Sequence, residues 1–239
     1  MSSRFADKVA LIAGGTGGLG RAVALALLEE EAQAAVTYIK SEEFDDLKNV
    51  AGRAASRLEG HRVDVTNVSA VSELVENILA QHQQIDILVN AVGAYAGGLK
   101  LWETPSNTFD TMLNLNLRSG YVLSSVVAKA MLKQKDGAIV NISAKAAFDH
   151  AAGASAYAAS KAASVAMMDS LAEDLRGTGV RVNSILPSII DTPANRRAMP
   201  GADFSKWPRP EDIAKVILFL CSSDAKLIHG ASIPVYGNQ

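Results

Sequence analysis

The chain has 239 residues, 49% hydrophobic and 20% charged. That length suits one large α/β domain or two small ones and the composition excludes a disordered chain, while a net charge of −2 offers no field for nucleic acid or an anionic membrane. A single cysteine, Cys221, excludes an intrachain disulfide, no apolar run reaches the length of a membrane span, and the opening MSSRFADK lacks a signal-peptide core, so a cytoplasmic location is expected.

In chain order, a first strand is expected at 9–13 (VALIA), followed by a glycine-rich turn and a helix over 19–30. A strand at 34–39, a helix at 44–51 and a strand at 62–65 follow, then a helix at 68–82 opened by Thr66-Asn67. Next come a strand at 85–90, a long helix at 109–134, a strand at 137–143 and an Ala-rich helix at 155–175. The chain closes with a strand at 180–186, a helix at 211–221 opened by Arg209-Pro210-Glu211, and a strand at 232–235. VALIA, IDILV and AIVNI are continuous apolar runs, the pattern of strands buried on both faces. Alternating strands and helices predict a parallel sheet with right-handed crossovers. The expected fold is α/β: one doubly wound, Rossmann-type domain over 1–239, with seven strands flanked by helices. The stretch 192–210, TPANRRAMPGADFSKWPRP, lacks periodicity and is expected to form a substrate lid.

The turn after the first strand reads Gly14-Gly15-Thr16-Gly17-Gly18-Leu19-Gly20, with a Gly-x-x-x-Gly-x-Gly spacing at 14, 18 and 20. Glycines let the backbone turn tightly and approach a pyrophosphate, whose charge then sits at the N-terminus of the following helix. This predicts a dinucleotide cofactor. Further along, Tyr157 and Lys161 stand four apart, on one face of a helix. A phenol near an ammonium is expected to have its pKa lowered from about 10 toward a useful range for proton transfer.

With those residues, Asp64 in RVDVT, Asn90-Ala91-Val92-Gly93, Asn116 in NLNL and VNSILPSIIDT at 182–192, the chain resembles the short-chain dehydrogenase/reductase family over nearly its whole length. The resemblance implies an NAD(P)-dependent oxidoreductase acting on a small molecule. It implies catalysis by Tyr157, Lys161 and Asn116, the last holding a water that links the lysine to solvent. It also implies cofactor contacts from Gly14, Thr16, Gly18, Leu19, Gly20, Asp64, Val65, Asn90, Ala91, Tyr157, Lys161, Pro187, Ile190 and Thr192, with Asp64 at the adenine. Three positions depart from the family pattern: Ala13, Ala91 and Ser188 replace its usual Thr, Asn and Gly.

The end of the second strand commonly selects the dinucleotide, because a carboxylate there binds a ribose diol and repels a 2′-phosphate. Here Tyr38 takes that place, with Lys40 two residues on, which favours NADP(H) over NAD(H). Gly17, at a position often basic in NADP-dependent relatives, pulls the other way.

Family members carry a substrate-binding serine thirteen residues before the tyrosine. In this chain that position is Ala144, and Ser143 falls one residue early, on the opposite face of a strand. Either the serine is absent or a local bulge brings Ser143 into use. One branch of the family, the dihydropteridine reductases, also lacks it. The chain resembles that branch at 93–98, at 144–149 and in DTPANRRAMPGADFSKW at 191–207. The expected reaction is therefore hydride transfer to a small conjugated or carbonyl acceptor, a quinonoid dihydropterin among them. Tyr95 and Trp207 are candidate aromatic contacts for such a substrate. The alternatives are a general ketone or aldehyde reductase or alcohol dehydrogenase, and a dinucleotide-binding regulatory protein with little catalysis. Four histidines without ligand spacing predict no metal. By resemblance, helices 109–134 and 155–175 would pack against another subunit, giving a homodimer or homotetramer.

Overall fold

The computed structural model describes residues 3–237. Its strands are β1 Val9–Ala13, β2 Gln33–Tyr38, β3 Leu58–Arg62, β4 Ile87–Asn90, β5 Gly137–Ile142, β6 Val180–Pro187 and β7 Ala231–Val235. They form one sheet in the order β3-β2-β1-β4-β5-β6-β7, and every neighbouring pair is parallel. The α-helices are α1 Gly18–Glu29, α2 Ser41–Ala51, α3 Val68–His82, α4 Ser106–Leu113, α5 Ser119–Gln134, α6 Ser155–Asp174, α7 Pro193–Ala198 and α8 Pro210–Cys221. This is the single doubly wound domain that the strand–helix alternation predicts.

The apolar runs do what their continuity implies. In β1, Ala10 and Ile12 join a core with Val23 and Leu27 of α1 and Ile213 and Ile217 of α8. Val9, Leu11 and Ala13 join a second core with Leu74 of α3, Val127 of α5 and Met168 of α6. A strand sandwiched between two helical layers has no face left for polar residues. The helix starts also follow sequence chemistry: the Asn67 side chain caps α3 by accepting from the Ala70 N–H at 3.1 Å, and Pro210 occupies the first turn of α8.

Three expectations need correction or refinement. The third strand lies at Leu58–Arg62 rather than 62–65, with Leu58 opposite Ala34 and Arg62 opposite Tyr38. As a sheet edge it needs little apolar character, and LEGHR shows almost none, whereas the alternation in RVDV only marks Val65 plugging the second core. The helix expected at 109–134 is present as one continuous helical run from α4 to α5, with a π-helical turn over Asn114–Arg118 that the sequence reading did not anticipate. The segment 192–210 is not a plain loop, since it contains α7 and a short 3-10 turn at Phe204–Lys206. It is tied down by the Asp191 N–H on the Pro208 carbonyl at 3.0 Å and by Arg196 Nη2 on Asp191 at 2.7 Å.

Candidate active site

In a doubly wound sheet, ligands bind beyond the carboxyl ends of the strands where the strand order reverses. Here the reversal lies between β1, whose chain continues outward to β2, and β4 on the other side. The loop Gly14–Gly20 occupies that point. Gly14 adopts φ +72°, and a Cβ at Gly20 would stand 2.1 Å from the Gly14 carbonyl oxygen, so the turn closes only with glycine there. A Cβ at Gly18 would meet the Thr192 methyl at 2.7 Å, which places the start of the 192–210 segment against the glycine loop. α1 begins with no side-chain cap at Gly17 and no acidic residue in its first turn, leaving its N-terminal N–H groups and positive dipole end for a phosphate. Cradle and helix end fit a dinucleotide pyrophosphate.

At the outer end of β2, Thr37 fastens this loop: its Oγ1 accepts from the Gly14 N–H at 2.9 Å and its carbonyl from the Gly15 N–H at 3.1 Å. Tyr38 stacks on Phe44 with centroids 5.0 Å apart. Lys40 is not free, because its Nζ lies 3.3 Å from Glu43, whose other carboxylate oxygen accepts from Thr16 Oγ1 at 3.1 Å. Sequence reasoning passed over Glu43; its spacing of three from Lys40, in the first turn of α2, was the available signal. Asp64 lies past β3 in an exposed turn and accepts from the Thr66 N–H at 2.9 Å and hydroxyl at 2.7 Å. Val65 is buried beneath it.

Asn90 is 1% exposed, and its side chain donates to Asn141 Oδ1 at 3.1 Å and accepts from the Val92 N–H at 3.3 Å. Its amide thus braces the strand ends of β4 and β5. The Ala91 N–H bonds the Ala13 carbonyl at 3.0 Å, bringing its backbone beside Gly14. Pro187 ends β6 buried, Ile190 is half-buried against the first core, and Thr192 caps α7 by accepting from the Asn195 N–H at 3.2 Å.

Tyr157 and Lys161 lie one turn apart on α6, and Asn116 reaches them from the π-helical turn. Such a turn inserts an extra residue into the helix and re-aims the side chains it carries. Asn116 Oδ1 accepts from the Ala94 N–H at 2.8 Å, while its Nδ2 donates to the Ala94 carbonyl at 3.0 Å and to Ser160 Oγ at 2.9 Å. A Cβ at Gly93 would lie 2.8 Å from Asn116 Oδ1 and 3.1 Å from Lys161 Nζ, so the two polar groups converge on a residue without a side chain. Lys161 Nζ donates to the Ile142 carbonyl at 3.0 Å, and burial pulls its pKa down to about 8. The Tyr157 phenol is pushed up to about 12, by burial first and by Tyr95 second. The shift thus runs opposite to the lowering expected from the lysine, because burial and Tyr95 both act against the charged phenolate.

The strand end before them carries no free hydroxyl. Ser143 is 3% exposed and its Oγ donates to the Lys161 carbonyl at 3.0 Å, with Ser164 Oγ 3.3 Å away. Extended backbone at Ala144 then carries the chain on without a bulge, and a methyl stands at that position. Tyr95 rests edge-on against Tyr157, centroids 4.9 Å apart at 74°. Trp207, by contrast, is buried on Phe204 within the 192–210 segment, centroids 4.9 Å apart, and offers no open ring face. Among the described residues no cluster of metal ligands occurs, and no helix is long and apolar enough to cross a membrane.

A glycine cradle at the sheet's switch point and a Tyr–Lys pair one turn apart define a nicotinamide-dinucleotide oxidoreductase of the doubly wound class. The model of the short chain dehydrogenase family matches residues 8–202, and the chain belongs to that family. It is an NAD(P)-dependent oxidoreductase. It is 31% identical over 242 residues to the 3-oxoacyl-[acyl-carrier-protein] reductase FabG of Thermotoga maritima, covering 98% of each chain. It is 32% identical to the NAD-dependent glycerol dehydrogenase of Listeria innocua, over 97% of this chain and 93% of the other. Among solved structures it superposes on ElxO with NADP bound (TM-score 0.91, 26% identity, 96% and 97% of the two chains). It superposes equally on an NAD+-bound xylitol dehydrogenase (TM-score 0.90, 25% identity, 98% and 99%).

Proposed function

We propose that the protein reduces a small carbonyl or conjugated acceptor, with Tyr157 as the proton donor. The observation that carries this reading is the placement of Tyr157 one helical turn from Lys161 on α6, with Lys161 Nζ and Asn116 Oδ1 converging at Gly93 just past the end of β4. A bound nicotinamide supplies the hydride. Gly14, Thr16, Gly18, Leu19 and Gly20 hold the pyrophosphate, with Asp64, Val65, Asn90 and Ala91 toward the adenosine and Pro187, Ile190 and Thr192 toward the nicotinamide. Lys161, fixed by the Ile142 carbonyl, orients the nicotinamide ribose and keeps a positive field near the phenol once it has given up its proton. Asn116 holds the Ala94 backbone and connects through Ser160 to the Tyr157 carbonyl, placing it to support proton replacement. The 192–210 segment covers the site as a lid.

The acceptor chemistry has two supports. The named relatives include a 3-oxoacyl reductase and polyol dehydrogenases, which favour a ketone and its alcohol. The alanine at 144 favours an acceptor that does not depend on a strand-end hydroxyl, such as a flat conjugated imine or quinone, a quinonoid dihydropterin included. Tyr38 and Lys40 in place of a carboxylate at the end of β2 favour NADP(H), tempered by Glu43. The test is a cofactor-oxidation screen with NADPH and NADH against a 3-oxo ester, an ortho-quinone and a quinonoid dihydropterin. Tyr157→Phe is expected to abolish turnover on whichever acceptor reacts while leaving dinucleotide affinity within about twofold, since the phenol is needed for proton transfer rather than for the pyrophosphate. Unchanged turnover would remove Tyr157 from its role, and tight cofactor binding without turnover on any acceptor would favour a regulatory protein.

A further inference from the structure

Hydride arrival at an acceptor carbon develops negative charge on the attached oxygen or nitrogen, and a preorganised donor there in addition to the acid is worth much in rate. The groups around Tyr157 divide sharply. Ser143 Oγ is bound to the Lys161 carbonyl, Ala144 has no donor, Lys161 Nζ is anchored on the Ile142 carbonyl with its other donors assigned to the nicotinamide ribose, and the Asn116 amide is held by Ala94 and Ser160. Tyr95 differs. Its ring packs edge-on against Tyr157 at 4.9 Å, it is 69% exposed, and its phenol is close enough to help raise the Tyr157 pKa.

The loop holds that phenol in place. Asn116 grips both the N–H and the carbonyl of Ala94, the residue just before Tyr95. The Gly98 N–H bonds the Gly153 carbonyl at 2.9 Å, docking the loop on the segment that leads into α6. Gly97 makes the space: a Cβ there would lie 2.2 Å from Tyr95 Oη and 2.7 Å from its Cζ.

We infer that Tyr95 Oη donates a hydrogen bond to the acceptor's oxygen or nitrogen, supplying from the loop after β4 the donor that the end of β5 lacks. This rests on the reductase reading above. In the step, two electrons and one hydrogen pass as hydride to the acceptor carbon, leaving the nicotinamide oxidised. The acceptor's heteroatom takes its proton from Tyr157 Oη, which is replenished from solvent, while Tyr95 keeps its proton throughout.

Tyr95→Phe, Tyr95→Leu, Gly97→Ala and Ala144→Ser test this, alone and with Ala144→Ser added to Tyr95→Phe, on the fastest acceptor of the screen. Tyr95→Phe keeps the ring and is expected to lower kcat by about 10²-fold, the loss typical of one such donor. Dinucleotide Kd and melting temperature should stay at wild-type values. Gly97→Ala should lower kcat in the same direction by displacing the hydroxyl. Adding Ala144→Ser to Tyr95→Phe should restore at least tenfold, because a hydroxyl returns from the strand side. Wild-type kcat in Tyr95→Phe with a loss confined to Tyr95→Leu would make the ring a packing surface and overturn the inference alone. Equal losses in Tyr95→Phe and in its Ala144→Ser double variant would also overturn it. Absence of turnover by the wild-type protein on every acceptor would overturn the reductase reading and this inference together.

Discussion

Lys161 brings an ammonium into the interior with one backbone carbonyl as its hydrogen-bond partner. Its pKa falls from 10.5 in the unfolded chain to about 8, so between those values the unfolded state holds the proton more tightly. Stability contributed through this group therefore rises as pH climbs from about 8 to 10.5, and below 8 the folded state carries the full cost of a buried charge. Lys161→Met removes that dependence. The stability difference between this variant and the wild type is expected to shrink by about 3 kcal/mol from pH 7 to pH 10.5, the equivalent of that pKa displacement. Tyr157 and Cys221, both pushed up to about 12 by burial, lose stability in the alkaline range in both proteins and cancel. Urea unfolding of the pair at the two pH values measures this, and a constant difference would show that Lys161 is not a buried charge.

Among the elements, β2 and α2 carry the residues proposed to face the adenosine end of the dinucleotide. Glu43 sits in the first turn of α2, where the helix dipole favours its charge, and engages both Thr16 and Lys40. A 2′-phosphate would have to draw Lys40 away from this carboxylate and tolerate its charge. Glu43→Gln is expected to tighten NADPH about two- to fivefold while leaving NADH nearly unchanged, the range set by an exposed ion pair. Lys40→Ala should weaken NADPH more than NADH. Calorimetric titration with both dinucleotides checks the pair, and equal effects on the two cofactors would exclude a 2′-phosphate contact. How much of this could be read beforehand depended on burial. β1, β4 and β5 announced themselves because strands between two helical layers must be apolar throughout. β3 did not, because an edge strand carries no such constraint. The π-helical turn at Asn116 stayed hidden because an extra residue in a helix leaves no compositional trace. Tyr157 and Lys161 were visible by spacing and Asn116 through the family resemblance, but the seat of Tyr95 over Gly97 depends on a contact with the distant Gly153, which no local pattern encodes.

For the whole molecule, the helical layer formed by α4, α5 and α6 leaves large apolar side chains in water. Tyr121 is 57% exposed and Phe109 43%, and a shallow groove between Tyr121 and α6 has an apolar floor of Leu113, Leu117, Ala163 and Met167 rimmed by Asp110, Asn114 and Arg118. The outer face of α6 is built from small residues, Ala159, Ala163 and Ala166 among them, which lets another helix approach closely. A net charge of −2 adds little repulsion between copies. We propose that this face joins two subunits about a two-fold axis, the same patch serving both. Tyr121→Glu would then place like charges near each other inside an apolar contact, which is strongly unfavourable. The wild type is expected to sediment as a dimer or tetramer of the 25.1 kDa chain and Tyr121→Glu as a smaller species with unchanged far-ultraviolet circular dichroism. Because α6 carries Tyr157 and Lys161 on its inner side, the variant should also lose part of its turnover as that helix loosens. A wild-type protein that sediments as a 25.1 kDa monomer at micromolar concentration would leave this face without a partner copy and sink the assembly.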